Sequence, residues 1–203
     1  MSLHILHLDT SPRRNADSRR LSSQVVDHLV AQHPGAKVTY RDISAGLPLP
    51  DVDFANLVVP AAIDPVADAH PSLSLSYDLV LELHQADIIV LGMPMYNWTF
   101  PGSFKTYVDL ICRPGKTFGY VEGKRLGMLK ATDAYVCFTT GATALGGEAD
   151  FASPYVTFLW KTLGVNQVHW VHASGMLFGQ LDGLEAAQAS IPSLPLPQSP
   201  VIA

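Results

Sequence analysis

The chain carries only two cysteines, few charges and no long hydrophobic run. Cys112 and Cys137 stand apart with no C-x-x-C pattern. That argues against a disulfide framework and for two free, buried thiols in a reducing cytoplasm. Charged residues fill 15% of the 203 positions, and 13 Lys and Arg against 18 Asp and Glu leave a net charge of −5. A basic footprint for nucleic acid is therefore lacking; Arg13, Arg14, Arg19 and Arg20 form the one local basic cluster. No apolar stretch approaches the roughly 20 residues of a membrane-spanning helix. The N-terminus lacks the basic and long apolar regions of a secretory signal. H-E-x-x-H, G-x-S-x-G and a Walker loop are also missing: Gly123-Lys124 runs into Arg125 with no upstream glycine. His4 and His7, like His169 and His172, are three apart on expected strands, face opposite sides and cannot share a metal. No internal repeat is visible.

What is present is apolar residues, at 48% of the chain, enough for one full core in a single domain. Residues 1–191 read as that domain. Residues 192–203, with Pro192, Pro195, Pro197 and Pro200, read as a mobile Pro-rich tail. Along the chain, apolar runs at 3–8, 37–43, 88–91, 133–138 and 165–173 read as five strands. The run Ile88-Ile89-Val90-Leu91 shows no polar alternation, as expected of a strand buried on both faces, and Gly92 with Pro94 should stop it. Between the strands, Leu21, Val25 and Leu29 mark a helix with Ser18 as its N-cap. Leu75, Leu79 and Leu83 mark a second, Phe104, Val108 and Ile111 a third, and Tyr155, Phe158 and Leu163 a fourth opened by Pro154. A short helix over 181–191 closes the domain. Residues 44–74 hold five prolines and form a long connection with short helical pieces, one of them around Leu57-Val58-Val59, covering the site or a partner subunit. The segment 116–120 reads as a turn bearing aromatics.

Strands alternating with helices indicate an α/β fold: a doubly wound, five-stranded parallel sheet of flavodoxin-like order with helices on both faces. In such sheets the ligand crevice lies at the carboxyl ends of the strands. The first strand ends in the hydroxyl-rich loop Thr10-Ser11-Pro12-Arg13-Arg14-Asn15-Ala16-Asp17-Ser18, suited to an anion at a helix start. The third ends in Pro94-Met95-Tyr96-Asn97-Trp98, and the fourth in Thr139-Thr140-Gly141-Ala142. Together they suit a ligand with a phosphate at one end and a planar ring at the other, as in flavin mononucleotide (FMN). Burying roughly 200 Å² of ring at about 25 cal/mol per Å² contributes near 5 kcal/mol, so ring and phosphate matter comparably.

Ser11-Pro12-Arg13 with Ser18, Pro94-Met95-Tyr96-Asn97, Thr117-Phe118, Thr139-Thr140-Gly141 and Leu163-Gly164 make the chain similar to the FMN-dependent NADH-azoreductases, relatives of the NAD(P)H:quinone oxidoreductases. The resemblance runs over about residues 3–175, and Pro-Met-Tyr-Asn is its most specific element. It implies a homodimer with the site at its interface, non-covalent FMN, and ping-pong transfer from NADH or NADPH to a quinone or azo compound. Ser11, Arg13, Ala16, Asp17 and Ser18 would then hold the phosphate. Pro94, Met95, Tyr96, Asn97 and Trp98 would line the isoalloxazine, and Thr139, Thr140, Gly141 and Ala142 would close its other side. Phe118 and Tyr120 would reach the substrate across the dimer. No side chain need act as catalyst, no metal is implied, and the expected location is the cytoplasm. The chain departs from the pattern at Ala16, where serine is common, at Thr140-Gly141-Ala142 in place of Arg-Gly-Gly, and at Trp98 in place of phenylalanine. A non-catalytic flavodoxin-like electron carrier, or a fold binding another nucleotide, are the competing readings.

Overall fold

The computed structural model describes residues 2–178 and 182–197. Five parallel strands form the sheet: β1 (His4–Asp9), β2 (Lys37–Asp42), β3 (Ile88–Pro94), β6 (Asp133–Thr139) and β7 (Gln167–Ala173), in the order β2-β1-β3-β6-β7. The chain leaves β1 for β2 on one side and returns to β3 on the other. That reversal makes a switch point between β1 and β3, where the crevice of such a sheet opens.

The central strands are apolar on both faces because each face is covered. Ile5, Ile88, Val90, Tyr135 and Cys137 pack with α1 (Asp17–Gln32) and α7 (Asp182–Ser190). Their neighbours Leu6, Leu8, Ile89, Leu91, Val136 and Phe138 pack on the other face. There they meet α4 (Ser74–Gln85), α5 (Gly102–Ile111) and α6 (Ser153–Leu163). Two-residue alternation sends successive side chains to opposite layers, so a strand in the middle reads as one continuous hydrophobic run.

β3 continues through Gly92 and Pro94 rather than stopping there, with Met93 and Pro94 paired to Phe138 and Thr139. On its other side β1 ends at Asp9, opposite Gly92, so Pro94 sits where one flank of the strand is already free. Gly92 is required by close approach: a Cβ there would stand 2.1 Å from Asp9 Oδ1.

The long connection after β2 holds α2 (Val52–Leu57), α3 (Pro65–Asp68) and two 3-10 turns at Pro60–Ala62 and Pro71–Leu73. Asp51, Asp64 and His70 cap three of these pieces from their side chains, and Pro60, Pro65 and Pro71 open theirs. The piece expected around Leu57 is thus the end of α2.

Between α5 and β6 the chain makes an antiparallel hairpin, β4 (Phe118–Val121) with β5 (Lys124–Gly127), where the sequence reading placed a turn. Its base is tied to the far end of α6: Leu129 N–H donates to Leu163 O at 2.9 Å, and a Cβ on Gly127 would stand 2.1 Å from Gly164 N. α6 turns Val156, Leu159, Trp160 and Leu163 inward and leaves Phe158, one of the residues that marked it, exposed. Of the C-terminal tail, Leu194 packs on the α1/α7 core and Pro195 O accepts from Tyr135 OH at 2.6 Å. Residues 198–203 lie outside the described part. Among the described residues no helix is long and apolar enough to cross a membrane.

Candidate functional site

Three loops open at the carboxyl rim beside the switch point. The first follows β1. Ser11 is fully buried, and its Oγ accepts from Arg13 N–H at 3.3 Å. Arg13 itself is exposed. α1 starts two residues earlier than Ser18 would set as a cap: Ala16 is the N-cap residue and makes no side-chain bond, since it has no oxygen to offer. Ser18 instead lies in the first turn, fully buried, and its Oγ has no hydrogen-bond partner. A hydroxyl buried without a partner is costly, on the order of 1–3 kcal/mol, and such exceptions call for an absent ligand or water. The Ala16 N–H is already engaged by Arg13 O at 3.2 Å, so the donors left to an anion are those further into the first turn. Asp17 accepts from Arg20 at 3.1 Å.

The second loop follows β3. Pro94 is buried at the strand end, and Met95 N–H donates to Thr139 O at 2.8 Å, joining this loop to the third. Tyr96 and Thr99 exchange both backbone hydrogen bonds, at 2.8 and 3.2 Å, across Asn97 and Trp98. Those two residues have φ of 49° and 67°, left-handed values that a two-residue hairpin demands and that side chains resist. Each such residue costs about 1–3 kcal/mol and persists only where its surroundings over-determine it, as at ligand clamps. The turn holds Trp98 outward at 61% exposure, and Tyr96 OH stands 3.5 Å from Ser11 Oγ, linking the two loops.

The third loop follows β6. Thr139 closes that strand. Thr140 is buried; its Oγ1 donates to Thr143 O at 2.5 Å and lies 3.2 Å from His172 Nε2. Burial pushes the His172 pKa below its ordinary value, with Asp150 pulling the other way. A Cβ on Gly141 would crowd Leu177 at 3.3 Å, and Ala142 is exposed. Asp150 anchors the end of this loop by accepting from the N–H groups of Gly146, Ala152 and Ser153 and from Ser153 Oγ.

The rim thus has an anion end, with an unsatisfied buried hydroxyl at a helix start, and a ring end with strained aromatic backbone. This donor set fits the phosphate and planar ring of FMN. Phe118 and Tyr120 are not brought to it within one chain. They lie on the hairpin anchored beside Leu163 and Gly164, at the end of α6 away from the rim.

Sequence reasoning missed the support beneath the anion loop. Arg19 holds Ser11 O with Nε and Nη2, at 2.9 and 2.6 Å. Nη2 also lies within reach of Asp42 (2.8 and 2.9 Å) and Ser44 Oγ (2.9 Å), while Nη1 reaches Tyr40 OH (2.7 Å) and Asp9 Oδ2 (3.4 Å). Asp9 is 2% exposed and also accepts from Ser22 and Tyr40. Burial raises the Asp42 carboxyl pKa, but hydrogen bonds from Ser44 and Arg19 win and hold it below the ordinary value. A signal was present: β1 and β2 both end in Asp, paired in register, and an arginine stands in a first helical turn, where the dipole disfavours it.

A cavity of about 270 Å³ lies elsewhere, between α4 and residues 113–116, where Asp68 pairs with both Arg113 and Lys116. One carboxylate there faces two cations, and Arg113 Nε is left without a partner among the described residues; the cavity takes no part in the rim.

The family described as flavodoxin-like fold matches residues 3–192. The FMN-dependent NADH:quinone oxidoreductase 1 of Hahella chejuensis is 35% identical over 188 residues, 92% of each chain. That of Cereibacter sphaeroides strain KD131 is 34% identical over 191 residues, covering 94% of this chain and 97% of the relative. Among solved structures, an azoreductase from Bacillus anthracis superposes with a TM-score of 0.79 at 22% identity, over 95% of this chain and 100% of that one. The last likeness speaks for the fold alone. The chain belongs to the flavodoxin-like fold family, among the relatives of the FMN-dependent NADH:quinone oxidoreductases.

Proposed function

We propose that the protein is an FMN-dependent oxidoreductase that takes electrons from NADH or NADPH and reduces quinones, azo compounds or both. The observation that carries this is the orphaned Ser18 hydroxyl at the start of α1, on the same rim as the left-handed Asn97 and Trp98 turn. Bound there without covalent linkage, FMN supplies hydride acceptance from the nicotinamide and two-electron delivery to the acceptor. The chain's own residues bind and orient. Ser11, Ser18 and the first-turn N–H groups of Asp17 and Ser18 hold the phosphate, with Arg13 approaching from solvent and Ala16 shaping the helix entry. Pro94, Met95, Tyr96, Asn97 and Trp98 line one side of the ring, and Thr139, Thr140, Gly141 and Ala142 the other. No side chain acts as nucleophile or metal ligand. The relatives carry oxidoreductase names, which supports the enzyme over the electron carrier.

A homodimer completes the site. Trp98, Phe151, Phe158 and Tyr120 are each at least 60% exposed. They lie on neighbouring elements: Phe151 N–H donates to Trp98 O, and Arg125 covers both Tyr120 and Phe158. An aromatic face of this kind suits a second copy of the chain, which would carry Phe118 and Tyr120 to the partner's ring. Cys112 and Cys137, both free, suit the cytoplasm.

The test is anaerobic mixing of the yellow protein with NADH or NADPH, followed by a quinone. Bleaching of the flavin and recovery of its colour are expected. A flavin that neither nucleotide bleaches would identify a carrier, and a protein that takes up no FMN would end the reading.

A further inference from the structure

We propose that Arg19 is a positioning residue that makes the loop after β1 select a phosphorylated flavin over an unphosphorylated one; this rests on the FMN reading above. The Ser11–Pro12 peptide has two unlike sides. Proline brings no N–H, so turning this peptide towards an anion offers it a carbonyl dipole and no donor. Arg19 removes that option by gripping Ser11 O from two nitrogens, at 2.9 and 2.6 Å. With the carbonyl drawn down, Ser11 Oγ is left 3.5 Å from Tyr96 OH and in contact with Arg13 N–H.

Arg19 does not act as a phosphate ligand. A guanidinium has five N–H donors. Here both Nη groups and Nε are engaged by Ser11, Asp9, Tyr40, Asp42 and Ser44. Nor does it supply free positive charge, because Asp9 and Asp42 together outweigh it. Its effect on the anion therefore passes through the geometry of Ser11. The fork is also specific to arginine: a lysine ammonium keeps the charge beside buried Asp9 but cannot hold one carbonyl from two nitrogens while reaching Asp42 and Tyr40.

The experiment measures affinities of the apo-protein for FMN and for riboflavin by flavin fluorescence quenching, in wild type, Arg19→Ala and Arg19→Lys. Wild type should prefer FMN, and a wild type that binds neither flavin would defeat the FMN reading itself. Given that preference, both variants should lose about tenfold or more in FMN affinity, the scale of one charge-assisted hydrogen bond, with riboflavin affinity nearly unchanged. Rescue by Arg19→Lys would show that charge rather than geometry acts, and would overturn the proposal. Equal losses for both flavins, or an unchanged FMN-to-riboflavin ratio, would also overturn it. Arg19→Lys keeps a cation beside Asp9, so it serves alone if Arg19→Ala does not fold.

Discussion

Ser18 carries a hydroxyl that the folded chain buries and leaves unpaired. Removing it should therefore cost the empty protein nothing. Ser18→Ala should leave apo-stability unchanged or raise it by up to about 1 kcal/mol in urea denaturation, while FMN affinity falls about tenfold. A drop in apo-stability would mean that the hydroxyl has a partner within the fold. His172 gives a pH effect. Burial lowers its pKa from the ordinary 6.5, so on acidification the unfolded chain takes up a proton before the folded one does. Its contribution is complete above about pH 6.5 and is lost as the pH falls below that value towards the folded pKa. His4, also lowered by burial, adds to the same decline. His172→Gln should give a shallower loss of unfolding free energy between pH 7 and 5; an equally steep loss would remove His172 as a source. At this scale the sequence showed which residue types gather at the rim, but not which atoms are satisfied. Ser18 read as a cap, and only the two-residue shift of the helix start turned its oxygen from a structural partner into an open one.

Individual elements were legible where their signals are local. The strands at Ile88 and Asp133 follow from unbroken apolar runs, and α6 from Pro154 at its first turn with Gly164 in the left-handed conformation at its end. The start of α6 depends on Asp150, whose carboxylate gathers three backbone N–H groups and a hydroxyl. Asp150→Ala should lower stability by about 2 kcal/mol, read as a lower urea midpoint with unchanged slope. A shift within a few tenths of a kcal/mol would mean that solvent replaces the cap. The β4–β5 hairpin was hidden for a physical reason. Four-residue strands flanking Glu122 and Gly123 have too little alternation to signal themselves, and their stability comes from Gly127 lying against Gly164 far along the chain.

For the whole molecule, the decisive feature is a face that one chain leaves uncovered. Phe158 is one of the residues whose spacing marks α6 in the sequence, and aromatics at helical spacing usually lie on the buried side. It is exposed because Val156, Leu159 and Trp160 already fill the contact with the sheet. On the proposed homodimer, Phe158→Asp should leave the fold of each chain intact by circular dichroism, give a monomer where the wild type sediments as a dimer, and reduce quinone turnover at least tenfold. A variant that sediments as a dimer with full turnover would place the interface elsewhere.

What the amino-acid sequence determined by itself is the alternation of strands and helices, the order of a doubly wound sheet, and the three loops that end at its carboxyl rim. Each rests on hydrophobic period and turn chemistry within a dozen neighbouring residues. Tertiary structure alone decided that Arg19 grips Ser11 while leaning on Asp42 and Tyr40, that Ser18 is left without a partner, and that the hairpin is tied to α6. Those facts depend on hydrogen bonds and contacts between residues 8 to about 40 positions apart, set only when β1, β2 and α1, or β5 and α6, come together. A pattern of neighbours along the chain carries no distance between such groups, and it is distance that decides whether a donor is taken or free.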